Sequence, residues 1–491
     1  MNHMNESVVS RNGLEQIMPK IHPVSVRTSW LKDDDCRMDA YYYNAEAISV
    51  LKSIIGGELD TKKLGDPEVT KTIFNLSRFK RIYTNDRTKG HPYLSAYEVF
   101  MFRPQSERWI PTDKLPTNPD RHFVKEGWTL VYCSGINVGR CVMATKRLEQ
   151  FFLTHDLIRI APVLPSGYLY AFLASSLGKA LMSGRQYGAA IPHLEPHHIA
   201  SIPIPILSSE QQQSIHEKIM QACRLRDEAN GLIDEAEDLL YKELNLSQFD
   251  ESYVPYLGSD KPKAFVLNIS ELADRFDASY HIPIAKTCVD QMQKGRYPLI
   301  RLSDISERIF IPPRFKRIYV PSDHGVPFLQ GSHIPLIMPY DMKYISNSAY
   351  DDLSPWIIQE NWVLVTCSGT IGRIALVPKI QDGWAATQHI ERIIPKPNRG
   401  HPGYIAMFLM TPYGQHQLKS KIYGAVVDEL TEDDTYSIWI PDAPYEVQEA
   451  IGKLAMRAFE MKEEANQIEH KAIRYLEETI MNSSSGIDVP R

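Results

Sequence analysis

The hexapeptide Arg78-Phe79-Lys80-Arg81-Ile82-Tyr83 returns unchanged as Arg314-Phe315-Lys316-Arg317-Ile318-Tyr319, a shift of 236 residues in a chain of 491. The register of that repeat is kept over most of the sequence. Cys133-Ser134-Gly135 recurs as Cys367-Ser368-Gly369, Gly139-Arg140 as Gly372-Arg373, and Arg37-Met38-Asp39-Ala40 as Arg275-Phe276-Asp277-Ala278. Further on, Tyr168, Phe172-Leu173 and Gly178 match Tyr404, Phe408-Leu409 and Gly414. Tyr187-Gly188-Ala189 then matches Tyr423-Gly424-Ala425, Ile202, Ile204 and Pro205 match Ile438, Ile440 and Pro441, and Glu228-Ala229-Asn230 matches Glu464-Ala465-Asn466. Self-similarity over so long a period means a duplicated domain, not a stack of short repeats. Two units of this size also suit a 56.1 kDa chain, which is too long for one ordinary core.

Each copy reads in the same order. Short β-branched runs separated by Gly and Pro come first, as in Trp362 to Thr366, a Ser-Gly turn, and Ile374 to Val377, which predicts strand, tight turn, strand. One short helix is predicted at Tyr168 to Met182 and its counterpart at Tyr404 to Leu418. Each copy then closes with a long helix free of internal proline. The first follows the capping residues Ser208-Ser209, and the second follows Pro444. Ile215, Ile219, Ala222, Leu225, Ala229, Leu232, Ile233, Ala236, Leu240 and Leu244 keep an apolar stripe of mixed three and four spacing; Ile451, Leu454, Ala455, Ala458, Met461, Ala465, Ile468, Ala472, Leu476 and Ile480 keep another. A stripe over about 35 residues implies a rod of roughly 50 Å that needs a helical partner, and two such rods in one chain most simply pair with each other.

The expected fold class is therefore α+β: two homologous, mostly-β domains, each followed by a long helix, with the two helices pairing as an antiparallel coiled coil. The boundaries drawn are 22–207 and 268–443 for the domains, 208–245 and 444–482 for the helices, and 246–267 for a connector marked by Pro255, Gly258 and Pro262.

Composition narrows the function. The net charge of −6 is uneven, because the two helices carry about −8 between them and leave the rest mildly basic, which permits a DNA-facing surface. No apolar run approaches membrane length, and the start MNHMNESVVSRNG has no signal-like stretch, so the cytoplasm is the expected location. The six cysteines (Cys36, Cys133, Cys141, Cys223, Cys288, Cys367) contain no CxxC pair and read as buried thiols, not as disulfides or a zinc knuckle.

The second copy, through Val363-Leu364-Val365-Thr366-Cys367-Ser368-Gly369-Thr370-Ile371-Gly372-Arg373, Tyr423-Gly424-Ala425, Ile440-Pro441 and the Gln448 to Ile480 helix, resembles the specificity subunit of type I restriction-modification systems. The first copy follows the same pattern with one extra residue in its turn, Cys133-Ser134-Gly135-Ile136-Asn137-Val138-Gly139-Arg140. The resemblance implies two target-recognition domains, each reading half of a split, asymmetric DNA site, and paired helices that hold them apart and dock the methyltransferase subunits. Catalysis would belong to the partners: two methyltransferase subunits, which would hold S-adenosylmethionine, and possibly a restriction or translocase subunit. No cofactor and no metal is expected in this chain.

Lys and Arg should supply affinity through phosphates, while specificity should come from groups that reach base edges. Residues identical in both copies cannot by themselves explain two different half-sites. Arg78, Lys80, Arg81, Arg314, Lys316 and Arg317 are therefore expected on the DNA backbone or in folding roles. Base readout is expected where the copies diverge, at 84–121, 320–347 and near 183–186 and 419–421. The side chains chosen there are Arg87, Lys89, Arg103, Gln105, Arg108, Arg185, Gln330, Ser332, His333, Lys343, Lys419 and Lys421.

Alternatives were weighed against these. The glycines of Ser-Gly-Thr-Ile-Gly are followed by no Gly-Lys-Ser or Gly-Lys-Thr, so they mark a β-turn and not a phosphate loop. His193, His197 and His198 have no histidine counterpart at Asp428 to Asp434, which favours a polar loop over a metal site. Two rival functions remain: an enzyme with its own methyltransferase or nuclease activity, for which the chain has no Asn-Pro-Pro-Tyr-like element or methyl-donor loop, and a scaffold of a related anti-phage defence complex that reads no DNA.

Overall fold

The computed structural model describes residues 45–84, 86–188, 190–249, 265–272, 275–339, 341–424 and 426–483. The Arg37 to Ala40 repeat, Cys36, Ala189, Ala425, the stretch 22–44 and most of the connector lie outside these residues.

The first copy runs α1 (Ala45–Ile55), β1 (Thr70–Phe74), β2 (Gly90–Leu94), β3 (Trp109–Pro111), β4 (Thr129–Tyr132), β5 (Cys141–Met143), β6 (Phe152–Leu153), β7 (Leu157–Pro162), α2 (Ser166–Ala174), α3 (Ser176–Gly184) and the long α4 (Ser209–Leu244). The second runs α5 (Pro283–Met292), β8 (Ser306–Phe310), β9 (Tyr319–Val320), β10 (Gly325–Leu329), β11 (Lys343–Ser346), β12 (Val363–Thr366), β13 (Ile374–Leu376), β14 (Ala385–Ala386), β15 (Ile390–Pro395), α6 (Pro402–Met410), α7 (Pro412–Ser420) and the long α8 (Tyr445–Asn482).

The main sheets have equivalent antiparallel orders, β1-β7-β4-β5 and β8-β15-β12-β13. Each carries a register shift at the same place, Thr70/Thr72 and Ser306/Arg308. The divergent stretches build a second, smaller sheet in each copy: β3-β2-β6 in the first and β9-β11-β10-β14 in the second, closed in both by a parallel pair. Much of each divergent stretch thus lies on a sheet separate from the repeated main sheet, where it pairs with Phe152–Leu153 in the first copy and Ala385–Ala386 in the second.

The repeated residues explain themselves in this frame. Tyr168 and Tyr404 are fully buried and donate their phenols to the carbonyls of Pro205 (2.5 Å) and Pro441 (2.7 Å), which ties the Ile-Pro strand to α2 or α6. The single short helix predicted in each copy is in fact two. The Ser175 hydroxyl accepts from the Gly178 amide (3.1 Å) and the Thr411 hydroxyl from the Gly414 amide (3.4 Å), so a capping residue ends one helix and starts the next. Only glycine fits after that break, because a Cβ on Gly178 would lie 2.2 Å from the Phe172 carbonyl oxygen and one on Gly414 would lie 2.5 Å from that of Phe408.

The long helices pair antiparallel, as the stripes require. Ile215, Ile219 and Cys223 of α4 share a core with Ala472, Leu476 and Ile480 of α8, while Ala229 to Leu244 share one with Ile451 to Met461. At 36 and 38 residues the rods are about 54 and 57 Å long. Ser208 caps α4, its hydroxyl accepting from the Gln211 amide (3.3 Å) and its own amide donating to Gln211 Oε1 (3.2 Å).

The helices do not hold the modules wholly apart. Met101 and Leu336 face one another in an antiparallel bridge, with the Phe102 amide donating to the Pro335 carbonyl (2.8 Å) and the Ile337 amide to that of Phe100 (2.9 Å). The modules therefore touch above the middle of the coil.

Candidate nucleic-acid interface

The strip Arg78 to Tyr83 forms no regular strand, and Phe79 is its one residue not exposed. Phe79 turns inward against His122, Phe152 and His155, and Phe315 turns inward against Phe328, Tyr350 and Trp356. Arg81 is exposed but donates to Asp156 (3.1 Å), and the half-buried Arg317 donates to Thr387 and Gln388 (both 3.1 Å). Arg78, Lys80, Arg314 and Lys316 are left exposed. Of the six repeated cations, Arg81 and Arg317 fasten the strip through these bonds.

Beside the strip lies the hairpin turn. Gly135 and Gly139, like Gly369 and Gly372, take positive φ between 79° and 86°, which lets a tight loop leave the β4-β5 and β12-β13 strands. The segments 190–194 and 426–430 fold back on this turn. The Gly135 amide donates to the Pro192 carbonyl (3.0 Å) and that of Gly369 to Asp428 (2.8 Å); Leu194 and Leu430 donate to Cys133 and Cys367 (both 2.9 Å). Strip, turn and loop, far apart in sequence, form one continuous surface in each copy. Its tips carry Ile136 and Val426, which are almost fully exposed.

Further cations border this surface on the smaller sheet. Arg87 lies over the Trp109 ring (4.7 Å) and is exposed; Lys89 is exposed beside Asp86 (3.1 Å); Lys343 is exposed over Tyr319 (4.8 Å). Ser332, Lys419 and Gln105 are also exposed, while Gln330 is half-buried.

Other predicted base readers are engaged within the fold. Arg103 is tied to Asp234 (3.1 Å) and Glu237 (2.5 Å) of α4, a bond pattern that pins its loop to the coil. Arg185 is buried, donating to the Leu181 carbonyl and the Ser201 hydroxyl (both 3.0 Å). Arg108 makes a two-pronged pair with Glu98 (2.8 and 2.9 Å), and its pKa stands above the ordinary arginine range because the Glu98 charge outweighs the opposing effect of burial. His333 is buried. Burial pulls the Lys421 ammonium below its usual range, and its Nζ lies over the Tyr280 ring (5.3 Å). Sequence alone could not separate these from free cations, because their acidic partners lie in distant segments.

Two functional positions escaped the sequence reading. Arg159 and Arg392 occupy the same place in β7 and β15, are fully buried, and donate to backbone carbonyls: Leu157 and Thr154 (both 2.9 Å) for the first, Thr387 (3.0 Å), Ala386 (2.7 Å) and Ile390 for the second. They stitch the smaller sheet to the larger. Burial pulls their pKa values down to about 10 and about 9. Their recurrence within Leu157-Ile158-Arg159-Ile160 and Ile390-Glu391-Arg392-Ile393 was the available signal.

The Cys133 and Cys367 thiols are pushed up to about 12 by burial, which disfavours the reactive thiolate. Among the described residues, no group of three or more His, Cys, Asp or Glu is placed to hold a metal ion. No helix among them is long and apolar enough to cross a membrane.

Two repeated β modules with exposed cations on their loops thus stand on one antiparallel helical pair. Residues 283–470 match the family model of the type I restriction modification DNA specificity domain, which bears out the resemblance read from the motifs of the second copy. Among solved structures, the type I restriction-modification S subunit from M. genitalium is 12% identical, with 87% of this chain and 96% of that chain covered and a TM-score of 0.34. The HsdS subunit from Thermoanaerobacter tengcongensis is 15% identical, with 87% and 96% covered and a TM-score of 0.27. A chain from a structural study of complex assembly and conformational transition of the type I R-M system is 13% identical, with 87% and 97% covered and a TM-score of 0.27. No curated protein matches the chain.

Proposed function

We propose that the chain is the non-catalytic specificity subunit of a DNA methyltransferase or restriction complex, reading a bipartite, asymmetric site and recruiting methyltransferase subunits, with or without a restriction subunit. Modules at 22–207 and 268–443 would each read one half-site. The helices at 208–245 and 444–482 would join them and carry the partners, which would bring the methyl donor.

The observation that carries this reading is the spacing of two equivalent anchors. Gly167 of α2 meets α4 so closely that a Cβ would lie 2.7 Å from His216 Cα, and Gly403 of α6 meets α8 so closely that a Cβ would lie 2.1 Å from the Gly452 carbonyl oxygen. Lys218 lies over Tyr475 and Arg226 meets Glu469, so Gly452 is level with Tyr241 on the opposite helix. The anchors are then about 25 residues, or about 37 Å, apart along the coil. One turn of duplex is about 34 to 36 Å. Two modules so spaced suit one face of a double helix, with half-sites whose centres lie about 11 base pairs apart.

A cationic, divergent loop surface on each copy supports sequence reading over a scaffold role. In a competition shift assay at moderate salt, the full chain should prefer a gapped, asymmetric sequence over random duplexes. Equal competition by all duplexes would leave only the scaffold. Incubation of the chain alone with target DNA and labelled methyl donor should transfer nothing; transfer without partners would make it an enzyme.

A further inference from the structure

The repeated Glu-Ala-Asn of the long helices has a use that neither pairing of the coil nor reading of bases requires. Asn230 on α4 and Asn466 on α8 are buried near the middle of the coil, and both face upward into the contact between the modules. The Asn230 side-chain amide donates to the Phe102 carbonyl (2.9 Å), and that of Asn466 donates to the Ile337 carbonyl (3.1 Å). These are the two loops that pair through Met101 and Leu336. One asparagine from each helix therefore holds one loop from each module, in near-perfect pseudo-two-fold correspondence.

The surroundings reinforce the grip. Phe102 packs on Phe459 of α8 (5.6 Å) and under Lys462 (5.2 Å), and the loop's next residue, Arg103, is tied to α4. Asn466 also accepts from Arg226 (2.9 Å), whose guanidinium reaches Glu469 and through it Tyr170 of the first module. A continuous buried network thus runs from one module, across both helices, to the loop of the other. The same loops lie inside the divergent stretches that carry the base-reading candidates.

We infer that Asn230 and Asn466 are positioning residues that lock the two reading modules into one rigid body, so that the gap between half-sites is set by this joint and not by the length of the helices alone. This rests on the bipartite reading proposed above. Adding one base pair between half-sites displaces one half-site by about 3.4 Å and rotates it by about a tenth of a turn relative to the other. A hinge at the end of a helix could follow that movement, but a joint of paired backbone and clamped carbonyls has to break first.

The test is selection by the full chain from a duplex pool in which the gap between half-sites is varied. The wild-type chain should select a single gap. The double variant N230A/N466A should accept gaps one base pair longer and shorter, losing on the order of tenfold in gap discrimination for each buried hydrogen bond removed, while the bases chosen within each half-site stay the same. Met101 and Leu336 form a non-hydrogen-bonded antiparallel pair, where side chains come closest, so a disulfide in M101C/L336C added to the double variant should restore the single gap. The single variants N230A and N466A carry half the change each and serve if the double variant does not fold. A folded variant that keeps the wild-type gap sharpness overturns the inference and leaves bipartite reading intact. A wild-type chain that selects no gapped sequence overturns both.

Discussion

Removing the carboxylate of Glu469 should cost the coil as much stability as removing its partner, the Arg226 guanidinium. Arg226 and Glu469 meet at 2.6 Å with both side chains almost fully buried, and the carboxylate also accepts from Tyr170 (2.6 Å). Burial alone would drive the Arg226 guanidinium towards its neutral form, but the Glu469 charge outweighs that and holds it above the ordinary range. Glu469→Met leaves that cation buried without its counter-charge, and Arg226→Met does the converse; each should lose about 3 to 5 kcal/mol. If the two acted independently, the double variant would lose about 6 to 10 kcal/mol. Methionine fills similar volume, so the pair R226M/E469M removes both buried charges and leaves only the Tyr170 hydroxyl and the Asn466 carbonyl short of partners, at about 1 kcal/mol each. Its expected loss is about 2 kcal/mol, less than either single change. Urea unfolding of the four proteins, followed by circular dichroism and by tryptophan fluorescence, reads these values from the midpoints. Additive losses, or single losses below about 1 kcal/mol, would falsify the claim that this pair is a coupled, desolvated unit.

Three further outcomes follow from the geometry. Gly403→Ala should push α6 off α8 and cost about 1 to 3 kcal/mol, seen as a lowered unfolding midpoint, whereas Gly231→Ala, which meets open space, should raise or hold it; equal effects would discount the close helix contact. His122 is kept neutral by burial, its pKa down to about 4 with Nδ1 against the Leu153 carbonyl (2.9 Å), and His416 is likewise down to about 4. Unfolding frees both to bind a proton near pH 6.5, so stability from this source is complete above that pH and is lost as pH falls towards 4; His122→Gln should flatten that decline, and an unchanged slope would dismiss the histidine as its source. Cys133, Cys141, Cys223 and Cys367 all stand at about 12, so iodoacetamide at pH 8 should label them only after denaturation, as peptide mass spectrometry would report; rapid labelling of the native protein would contradict their burial.

The frame was readable because duplication doubles every signal. Tyr168 with Tyr404, and Gly178 with Gly414, each mark a position where one residue type is physically required, a buried phenol on a carbonyl or a missing Cβ at a helix break. The apolar stripes likewise predicted helix pairing, since a stripe must be covered. The joint between modules was not readable. Phe100-Met101-Phe102 and Pro335-Leu336-Ile337 share no sequence, and what unites them is backbone hydrogen bonding, which leaves no trace in residue identity. The same limit applied to the cations. Arg81 and Arg78 stand three residues apart in one repeated strip, yet the first is spent on Asp156 and the second is exposed, a difference set by where β7 begins. Arg103 looked free because its partners, Asp234 and Glu237, lie 131 and 134 residues away.

The buried guanidiniums of Arg159 and Arg392 grip main-chain oxygens, and every amino acid offers the same oxygen whatever its side chain. The strands they hold can therefore exchange residue after residue without loosening that hold. Exposed side chains on either module can then change while the carbonyl grips beneath them stay as they are, so each copy can diverge at its surface without disturbing the other.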